Sequence, residues 1–347
     1  MRKALILAVA LALSGGARAQ DFYKDKTIEL VVSTGIGSTL DENARLVARH
    51  LGDHIPGKPL VVVRNMPGAQ HKRAANFLFN QAARDGTSIG ALHPVFALAQ
   101  VLDARGVQYD AAKFEWLGST SSLNAAIYVA AGHAVKTAAD LTKWQVLMGA
   151  AGAGSPGAIY PTVMNNLLGA KFYILAGYAN VADMNAALER DEIEGRAGQS
   201  LNALKLENPE WLRGGKIRVI AQAGLERDPE FPDAPLLSEL AGNADEAEAL
   251  RLLSTDVGLG RVFLNPPETP PARVAILRKA LADLVEDEAF RNAAGNAGLD
   301  IRFRDGARVQ AIVAAMVNAR PETIALAKQA LQPRDFLDAG KVGDRKE

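Results

Sequence analysis

The stretch of sequence that decides the fold is IELVVSTGIGSTLDENARLVARHL, residues 28–51. Its first residues are β-branched or aliphatic, which is typical of a strand buried on both faces. A loop with Gly35 and Gly37 follows, and apolar residues then recur at the spacing of an amphipathic helix. Thr39 and Glu42 have the spacing of a capping box, so we expect the helix to begin there. The stretch therefore predicts a strand, a tight loop and a helix.

The same order of elements recurs along the chain. Helical patterns follow most of the strands, and C-terminal helices are expected from Pro271 onward and over residues 307–317. Strands that alternate with helices form mainly parallel sheets, and ligands bind at the carboxyl ends of such strands. The residues thus predict the α/β fold class. Short apolar runs predict the further strands at residues 60–63, 88–92, 146–150, 172–175, 193–197 and 217–222.

The N-terminus has the plan of an export signal. Arg2 and Lys3 precede the apolar residues 4–13, and the small-residue site Ala17-Arg18-Ala19 follows. We expect cleavage after Ala19. The alternative is an uncleaved anchor, for which the apolar run is short. Without these residues the chain is still long enough for two domains.

The composition excludes several classes of protein. The chain has 39 Lys and Arg against 39 Asp and Glu, and removal of the signal would leave a net charge of −3. No basic surplus is present to drive nucleic-acid binding. The absence of cysteine excludes disulfides, a thiol nucleophile and a lipid-modified N-terminal cysteine. We therefore expect a soluble protein exported to the periplasm.

Three glycine-bearing loops lead from strands into helices, at residues 33–38, 67–69 and 152–155. Such loops leave N–H groups unpaired, and glycine lets a ligand come close to them. Residues 35–40 could also be a degraded dinucleotide fingerprint or a loop that merely turns tightly. We favour a cradle for a small anion because the feature recurs. Asp41 and Glu42 would repel an anion on the helix axis, so the ligand should lie to one side.

The histidines have both functional and structural interpretations. His50 and His54 have i, i+4 spacing and could bind a metal, but the rest of a metal motif is absent and a solvated helix end is favoured. His93 ends a strand, where it either faces the ligand or bonds to the backbone. The role of His71 is open: it could face the ligand or water.

Two further polar residues leave alternatives open. Arg196 either pairs with a ligand carboxylate or with Glu194 or Asp191. Ser155 is expected to cap a helix that begins at Pro156, and its neighbouring amides could also face a ligand.

A nucleophile elbow and a spaced histidine cluster are both missing from the sequence, so catalysis is the weaker class of function.

At these loops the sequence resembles the solute-binding proteins of tripartite tricarboxylate transporters, the TctC-like or Bug family. The matching segments run nearly the full mature length. Each is common alone, but their order and spacing are specific. They are the first loop with Asp41 and Arg45, Asn65-Met66-Pro67-Gly68-Ala69, Ala74-Ala75-Asn76, Asp85-Gly86-Thr87, Trp116-Leu117-Gly118-Ser119, residues 149–155, Gly177-Tyr178, Glu194-Gly195-Arg196 and Asp233-Ala234-Pro235-Leu236.

The resemblance implies a type II periplasmic binding protein fold. Such a fold has two α/β lobes with mainly parallel sheets, joined here by crossover strands near residues 119–123 and 255–260. Residues 1–19 would be the signal peptide, residues 20–122 and 258–347 the first lobe, and residues 123–257 the second. A small carboxylate would bind in the cleft between the lobes, and we expect neither a cofactor nor a metal.

The resemblance and the loop pattern together predict the binding residues. Backbone amides of the first two loops would hold the carboxylate, often through ordered waters, and the second lobe would close over it. The binding residues predicted in the first lobe are Ser33, Thr34, Gly35, Gly37, Ser38, Pro67, Gly68, Ala69 and His93. The binding residues predicted in the second lobe are Gly152, Gly154, Ser155, Tyr178, Arg196 and Gln199.

The sequence also departs from the family pattern. Gln70-His71 stands where relatives have Gly-Gly, Ala179-Asn180-Val181 replaces a glycine-rich run, and the first loop lacks the usual prolines. These changes add side chains around the site.

We expect a periplasmic solute-binding protein that delivers a small carboxylate to inner-membrane transporter subunits. The alternatives are a ligand sensor that docks on a receptor or kinase and, less favoured, a periplasmic enzyme.

Overall fold

The opening stretch folds as its pattern predicts, with strand Thr27–Val32 and helix Thr39–Leu51 on either side of the loop at residues 33–38. The structure is a computed structural model, and it describes residues 22–333 and 336–338. The predicted signal sequence lies outside the described residues. No helix in the described part of the chain is long and apolar enough to cross a membrane.

The strands are numbered in chain order. They are β1 Thr27–Val32, β2 Leu60–Asn65, β3 Ser88–Leu92, β4 Glu115–Ser119, β5 Ala125–Ala130, β6 Val146–Ala150, β7 Phe172–Ala176, β8 Gly195–Ser200, β9 Ile217–Ala223, β10 Val262–Asn265, β11 Arg304–Asp305 and β12 Phe336–Asp338.

The α-helices of the described residues are numbered in the same way. They are α1 Thr39–Leu51, α2 Lys72–Asn80, α3 Val95–Leu102, α4 Pro156–Leu168, α5 Val181–Glu189, α6 Leu201–Glu207, α7 Pro209–Arg213, α8 Ala244–Leu253, α9 Thr255–Leu259, α10 Pro271–Glu286, α11 Glu288–Asn296, α12 Gly306–Val317 and α13 Pro321–Ala330.

The chain folds into two compact units. The described residues of unit 1 are 22–122 and 259–318, and those of unit 2 are 123–258, 319–333 and 336–338. The sequence predicts lobe boundaries at 122/123 and 257/258. It also predicts that the whole C-terminal segment lies in the first lobe, which is wrong for α13. That helix packs against α8 and α4 of unit 2, so the chain passes between the units a third time, after Asn318.

Unit 1 has a six-stranded sheet in the order β11-β4-β10-β3-β1-β2. Strand β1 pairs in parallel with β2 and β3, whereas β10 runs antiparallel to β3 and β4. Apolar residues of α1, α10 and α11 cover β1 and β3, and Ile28, Leu30 and Phe263 lie buried in the resulting core. The carboxyl ends of β1, β2 and β3 therefore share one edge of the sheet.

Unit 2 has a second six-stranded sheet, in the order β12-β7-β6-β8-β5-β9. Strands β12, β7, β6 and β8 are parallel, and β5 is antiparallel to β8 and β9. Each sheet therefore keeps a parallel block, as predicted, and adds antiparallel strands to it. The antiparallel strands β5 and β10 are the first strands after the chain passes into a unit. The predicted loops follow β1, β2 and β6, which are strands of the parallel blocks.

Candidate functional site

Three loops of unit 1 lie at the carboxyl ends of neighbouring parallel strands. The first loop, residues 33–38, follows β1, and the second loop, residues 66–71, follows β2. His93 and Pro94 follow β3 and lead into α3. Since β2, β1 and β3 are adjacent in the sheet, the three predicted segments come together at one edge. Ligands of open α/β sheets bind at this position.

The first loop offers free backbone donors. Within the described part of the chain, the N–H groups of Thr34, Gly35 and Ile36 make no hydrogen bond. The Ile36 side chain is 80% exposed, and a Cβ added at Gly35 would meet no atom within 4 Å. These donors form an open surface that suits a small anion.

Other predicted donors of the first loop are already used inside the protein. The N–H of Ser33 donates to the carbonyl of Ala91, and that of Ser38 to the carbonyl of Gly35. The N–H of Gly37 donates to Asp41 Oδ2 at 2.9 Å. These three residues shape the loop, and their amides have no remaining proton for a ligand.

Asp41 is the centre of a network that joins the first loop to α1 and to the end of β2. Its carboxylate accepts from Arg45 Nε at 2.9 Å and from Asn65 Nδ2 at 2.8 Å, and Arg45 also donates to Asn65 Oδ1. Asn65 donates in addition to the Thr34 carbonyl. Burial alone would raise the pKa of Asp41, but the bonds from Arg45, Asn65 and Gly37 lower it. The repulsion expected from Asp41 is thus offset by Arg45.

The first helix is capped one residue earlier than its sequence predicts. Ser38, not Thr39, is the N-cap: its backbone is extended and its hydroxyl accepts from the N–H of Asp41 at 3.2 Å. The Ser38 hydroxyl also lies 2.6 Å from that of Thr34. The sequence does not distinguish the two positions, because serine and threonine both suit an N-cap.

The second loop has an unusual backbone. Gly68 has φ 129° and ψ 161°, a conformation that essentially only glycine adopts. Ala69, Gln70 and His71 then have φ of 49°, 52° and 69°. Left-handed conformations cost a residue other than glycine roughly 1–2 kcal/mol. Strain of this kind clusters at functional sites, where the surrounding structure maintains it.

The strained segment places His71 against Ser33 and His93. His71 Nδ1 lies 3.1 Å from both the carbonyl oxygen and the hydroxyl of Ser33, and the hydroxyl accepts from the N–H of His93 at 3.0 Å. The two imidazole rings are stacked, with centroids 5.0 Å apart and planes 17° apart. The backbone of His93 is thus bonded inside the protein and its side chain is exposed, and a contact between its ring and a ligand remains a prediction.

Both imidazoles are neutral at pH 7. Although the His93 side chain is partly open to solvent, the protein packed around its ring desolvates it and, together with the nearby His71 and Arg261, lowers its pKa. Burial also lowers the pKa of His71, although its bond to Ser33 acts in the opposite direction. The pair therefore acts through hydrogen bonds and ring contacts rather than through charge.

Arg261 is a cation near His93 that the sequence does not indicate. It directly precedes β10, whose Val262 pairs with Leu92 next to His93. Its guanidinium lies 3.4 Å from the Ser121 hydroxyl, and burial lowers its pKa while Asp300 and Glu42 act in the opposite direction. Only the topology reveals this cation, because β10 is inserted between β3 and β4 from a distant part of the sequence.

In unit 2, the loop after β6 leads into α4 as predicted. Ser155 is at the N-cap position and Pro156 at the first helical position. The Ser155 hydroxyl does not cap the helix, however, because it donates to the carbonyl of Gly152 at 2.7 Å. In this described part of unit 2, the N–H groups of Ala153 and Gly154 in the loop and of Gly157 in the first turn of α4 make no hydrogen bond. The loop thus repeats the open donors of the first loop.

The polar side chains predicted on β8 are engaged inside unit 2. Arg196 is 3% exposed; it donates through one terminal nitrogen to Asn185, and its Nε has no partner. It pairs with neither Glu194 nor Asp191 in the described residues. Gln199 accepts from the Tyr128 hydroxyl and donates to Glu207, both at 3.0 Å.

Tyr178 also packs inward. Its ring lies against the hydrophobic cluster that α5, α6 and α7 form over the sheet of unit 2, and its N–H lies 3.4 Å from the Ala150 carbonyl. Burial raises the pKa of its hydroxyl. The predicted ligand contacts of Arg196, Gln199 and Tyr178 remain predictions.

The histidines of the first helix have separate partners. The His50 ring packs edge-on against Phe290, and His54 Nε2 lies 3.6 Å from Asp287. His54 belongs to the turn after α1 rather than to the helix. Among the residues that the structure describes, no group of three or more potential metal ligands is found.

Comparison with known proteins connects this geometry to a class. A UPF0065 protein of Bordetella bronchiseptica is 26% identical over 294 residues, which cover 83% of this chain and 82% of the relative. A TctC solute-binding protein from Polaromonas has a TM-score of 0.69 at 21% identity, and covers 88% of this chain and 98% of its own. No family model matches the sequence.

Two further solved structures are similar. The periplasmic binding protein BugD has a TM-score of 0.57 at 22% identity, over 89% of this chain and 98% of its own. MatC from Rhodopseudomonas palustris with bound malate has a TM-score of 0.55 at 20% identity, and the match covers 88% of this chain and 99% of the MatC chain. The fold is therefore the α/β fold of type II periplasmic binding proteins, as predicted. The resemblance to TctC and Bug solute-binding proteins is confirmed.

Proposed function

We propose that this chain is a periplasmic solute-binding protein that captures a small molecule bearing a carboxylate. It would be exported by its N-terminal signal and would deliver the ligand to a tripartite tricarboxylate-type membrane transporter. Similar chains include a TctC solute-binding protein and the periplasmic binding protein BugD, and the similar MatC structure contains bound malate. We propose a binding role and no catalysis, since the site offers donors for an anion rather than a nucleophile with its base.

The observation that carries the proposal is the set of free backbone donors in the first loop. The N–H groups of Thr34, Gly35 and Ile36 lie at the carboxyl end of β1 beside the second loop and His93. Charge-assisted hydrogen bonds to a carboxylate contribute about 1.5–3 kcal/mol each. Arg45 pairs with the buried carboxylate of Asp41 at 2.9 Å, which reduces the repulsion that an anion would meet there.

Thermal unfolding with a panel of ligands tests the proposal. The panel contains small mono-, di- and tricarboxylates, with neutral sugars and cationic amines as controls. A carboxylate at a hundredfold excess over its Kd should stabilise the fold by about 2.7 kcal/mol, which raises Tm by roughly 5–10 °C for domains of this size. Shifts only with sugars or amines would overturn the anion site and leave the fold assignment intact.

A pair of glycine variants tests the location of the site. Gly35→Val places a branched side chain over the free N–H groups, in open space and without a positive φ. Loss of one or two charge-assisted bonds should weaken binding about tenfold to several hundredfold at unchanged Tm. Gly132→Val is the matched control, because Gly132 is equally open but follows β5 in unit 2. Equal affinities of the two variants in calorimetry would place the ligand elsewhere.

A further inference from the structure

The stacked histidines present two hydrogen-bonding atoms that the protein does not use. Each ring is held by its Nδ1, and the Nε2 of each makes no hydrogen bond with the described residues. Holding His71 in place requires three successive left-handed residues that are not glycine. Such a backbone is costly, so the placement of this ring calls for a reason beyond packing.

The hydrogen-bond partners fix the tautomer of His71. Its Nδ1 lies 3.1 Å from the carbonyl oxygen of Ser33, and a carbonyl oxygen can only accept. The Ser33 hydroxyl at the same distance can donate or accept, so the carbonyl decides between the tautomers, and it favours the proton of the neutral ring on Nδ1. The Nε2 of His71 is left with a lone pair and acts as an acceptor.

His93 has the opposite tautomer. Its Nδ1 accepts from the N–H of Val95 at 3.3 Å, so Nδ1 carries the lone pair. The proton of the neutral ring is therefore on Nε2, which acts as a donor. The stacked pair thus offers one acceptor and one donor on rings whose centroids are 5.0 Å apart.

We propose that His71 and His93 determine specificity by recognising a neutral group with one donor and one acceptor, such as a primary carboxamide, on the carboxylate-bearing ligand. The inference rests on the proposed function, because it assigns ligand chemistry to the same loops. The carboxylate of the ligand binds the free N–H groups of the first loop, and its carboxamide binds the histidine pair. The carbonyl oxygen accepts from His93 Nε2, and the amide N–H donates to His71 Nε2.

This arrangement discriminates among groups of similar size. A second carboxylate brings only acceptors, so one of its oxygens faces the lone pair of His71 Nε2. A methyl ester has no charge but also has no proton to donate. Only the amide satisfies both histidines, and leaving one polar atom unpaired on binding costs affinity.

Isothermal titration calorimetry at neutral pH tests the proposal with three forms of one skeleton. The probes are succinate, its monoamide and its monomethyl ester, together with the same three forms of glutarate and of adipate. The monoamide of the best-fitting skeleton should bind about three- to tenfold more tightly than its ester, which is the range of one neutral hydrogen bond.

Substitutions assign the two bonds separately. His71→Asn keeps a donor for the Ser33 carbonyl and suits a positive φ, but it removes the Nε2 acceptor. The preference for amide over ester should fall to about one in this variant. His93→Phe keeps a ring in the stack and removes the donor, so amide and ester should weaken by a similar factor. His50→Phe, in contact with Phe290, is the control and should change nothing.

The outcomes separate this inference from the proposed function. Diacids that bind as tightly as their monoamides, or an amide preference that persists in His71→Asn, would overturn the assignment of the histidine pair and leave the binding protein intact. Failure of all nine compounds to bind would overturn the proposed function and the inference together. Tm without ligand shows whether each variant is folded.

Discussion

At the scale of single residues, the shape of the first loop depends on one buried carboxylate, Asp41. Asp41 is 1% exposed and bonds Gly37, Arg45 and Asn65, which belong to the first loop, to α1 and to β2. It therefore fixes which amides of the first loop stay free. The sequence shows an acidic residue at a helix start, but not that its charge is used within the protein.

Asp41→Asn should destabilise the protein by about 1–3 kcal/mol at neutral pH, because the Arg45 ion pair and one acceptor are lost. The lowered pKa of Asp41 means that its contribution is complete above the unfolded value and is lost as pH falls through the folded value. The difference between wild type and variant in urea unfolding should therefore shrink in acid.

Asp53→Asn is the control for this prediction. Its partner Lys58 lies 3.3 Å away, and both side chains are largely exposed. Exposed ion pairs contribute about 0–1 kcal/mol, so this variant should unfold almost like the wild type. Equal effects at Asp41 and Asp53 would contradict the positioning role.

At the scale of elements, the docking of α4 on β8 keeps the loop of unit 2 in place. Gly198 has φ 86°, and a Cβ there would lie 2.5 Å from Pro156 Cβ and 2.9 Å from Gly157 N. The start of α4 therefore approaches the strand more closely than any side chain permits. The free N–H of Gly157 is held at this contact.

Gly198→Ala should destabilise unit 2 by about 2–4 kcal/mol, because it combines a left-handed backbone with a clash against Pro156. Gly132→Ala has neither problem and should stay within about 0.5 kcal/mol of the wild type. Chemical denaturation measures both values. A folded Gly198→Ala protein of wild-type stability would show that α4 can move away from β8 at little cost.

The sequence predicted most elements because their patterns are local. The strands at 88–92 and 146–150 match β3 and β6, and glycine-bearing loops follow β1 and β2 as expected. The run of left-handed residues at 69–71 was not predictable, since glutamine and histidine rarely adopt that conformation. The burial of Arg196 beside Asn185 was not predictable either, because it depends on tertiary packing that spacing does not reveal.

At the scale of the whole molecule, the path of the chain differs most from expectation. Helix α13 follows Asn318 and completes unit 2, although unit 1 precedes it in the sequence. Arg320 pairs with Asp245 and Glu248 of α8 at 2.7 and 2.8 Å, and Asn166 of α4 donates to the carbonyl of Ala330. Ala327 and Ala330 are fully buried. The stability of unit 2 should therefore depend on the C-terminal segment.

A chain ending at Asn318 should lose protection from hydrogen exchange in α8 and α4, by about a hundredfold or roughly 3 kcal/mol, while β1 and β3 of unit 1 keep theirs. A chain ending at Pro333 retains α13 and lacks β12, so it separates the contribution of the helix from that of the edge strand. It should retain most of the protection in α8. Mass spectrometry of peptides from the three chains makes the comparison. Equal loss in both units after truncation at Asn318 would mean that unit 1 also depends on α13, contrary to the packing of that helix on α8 and α4.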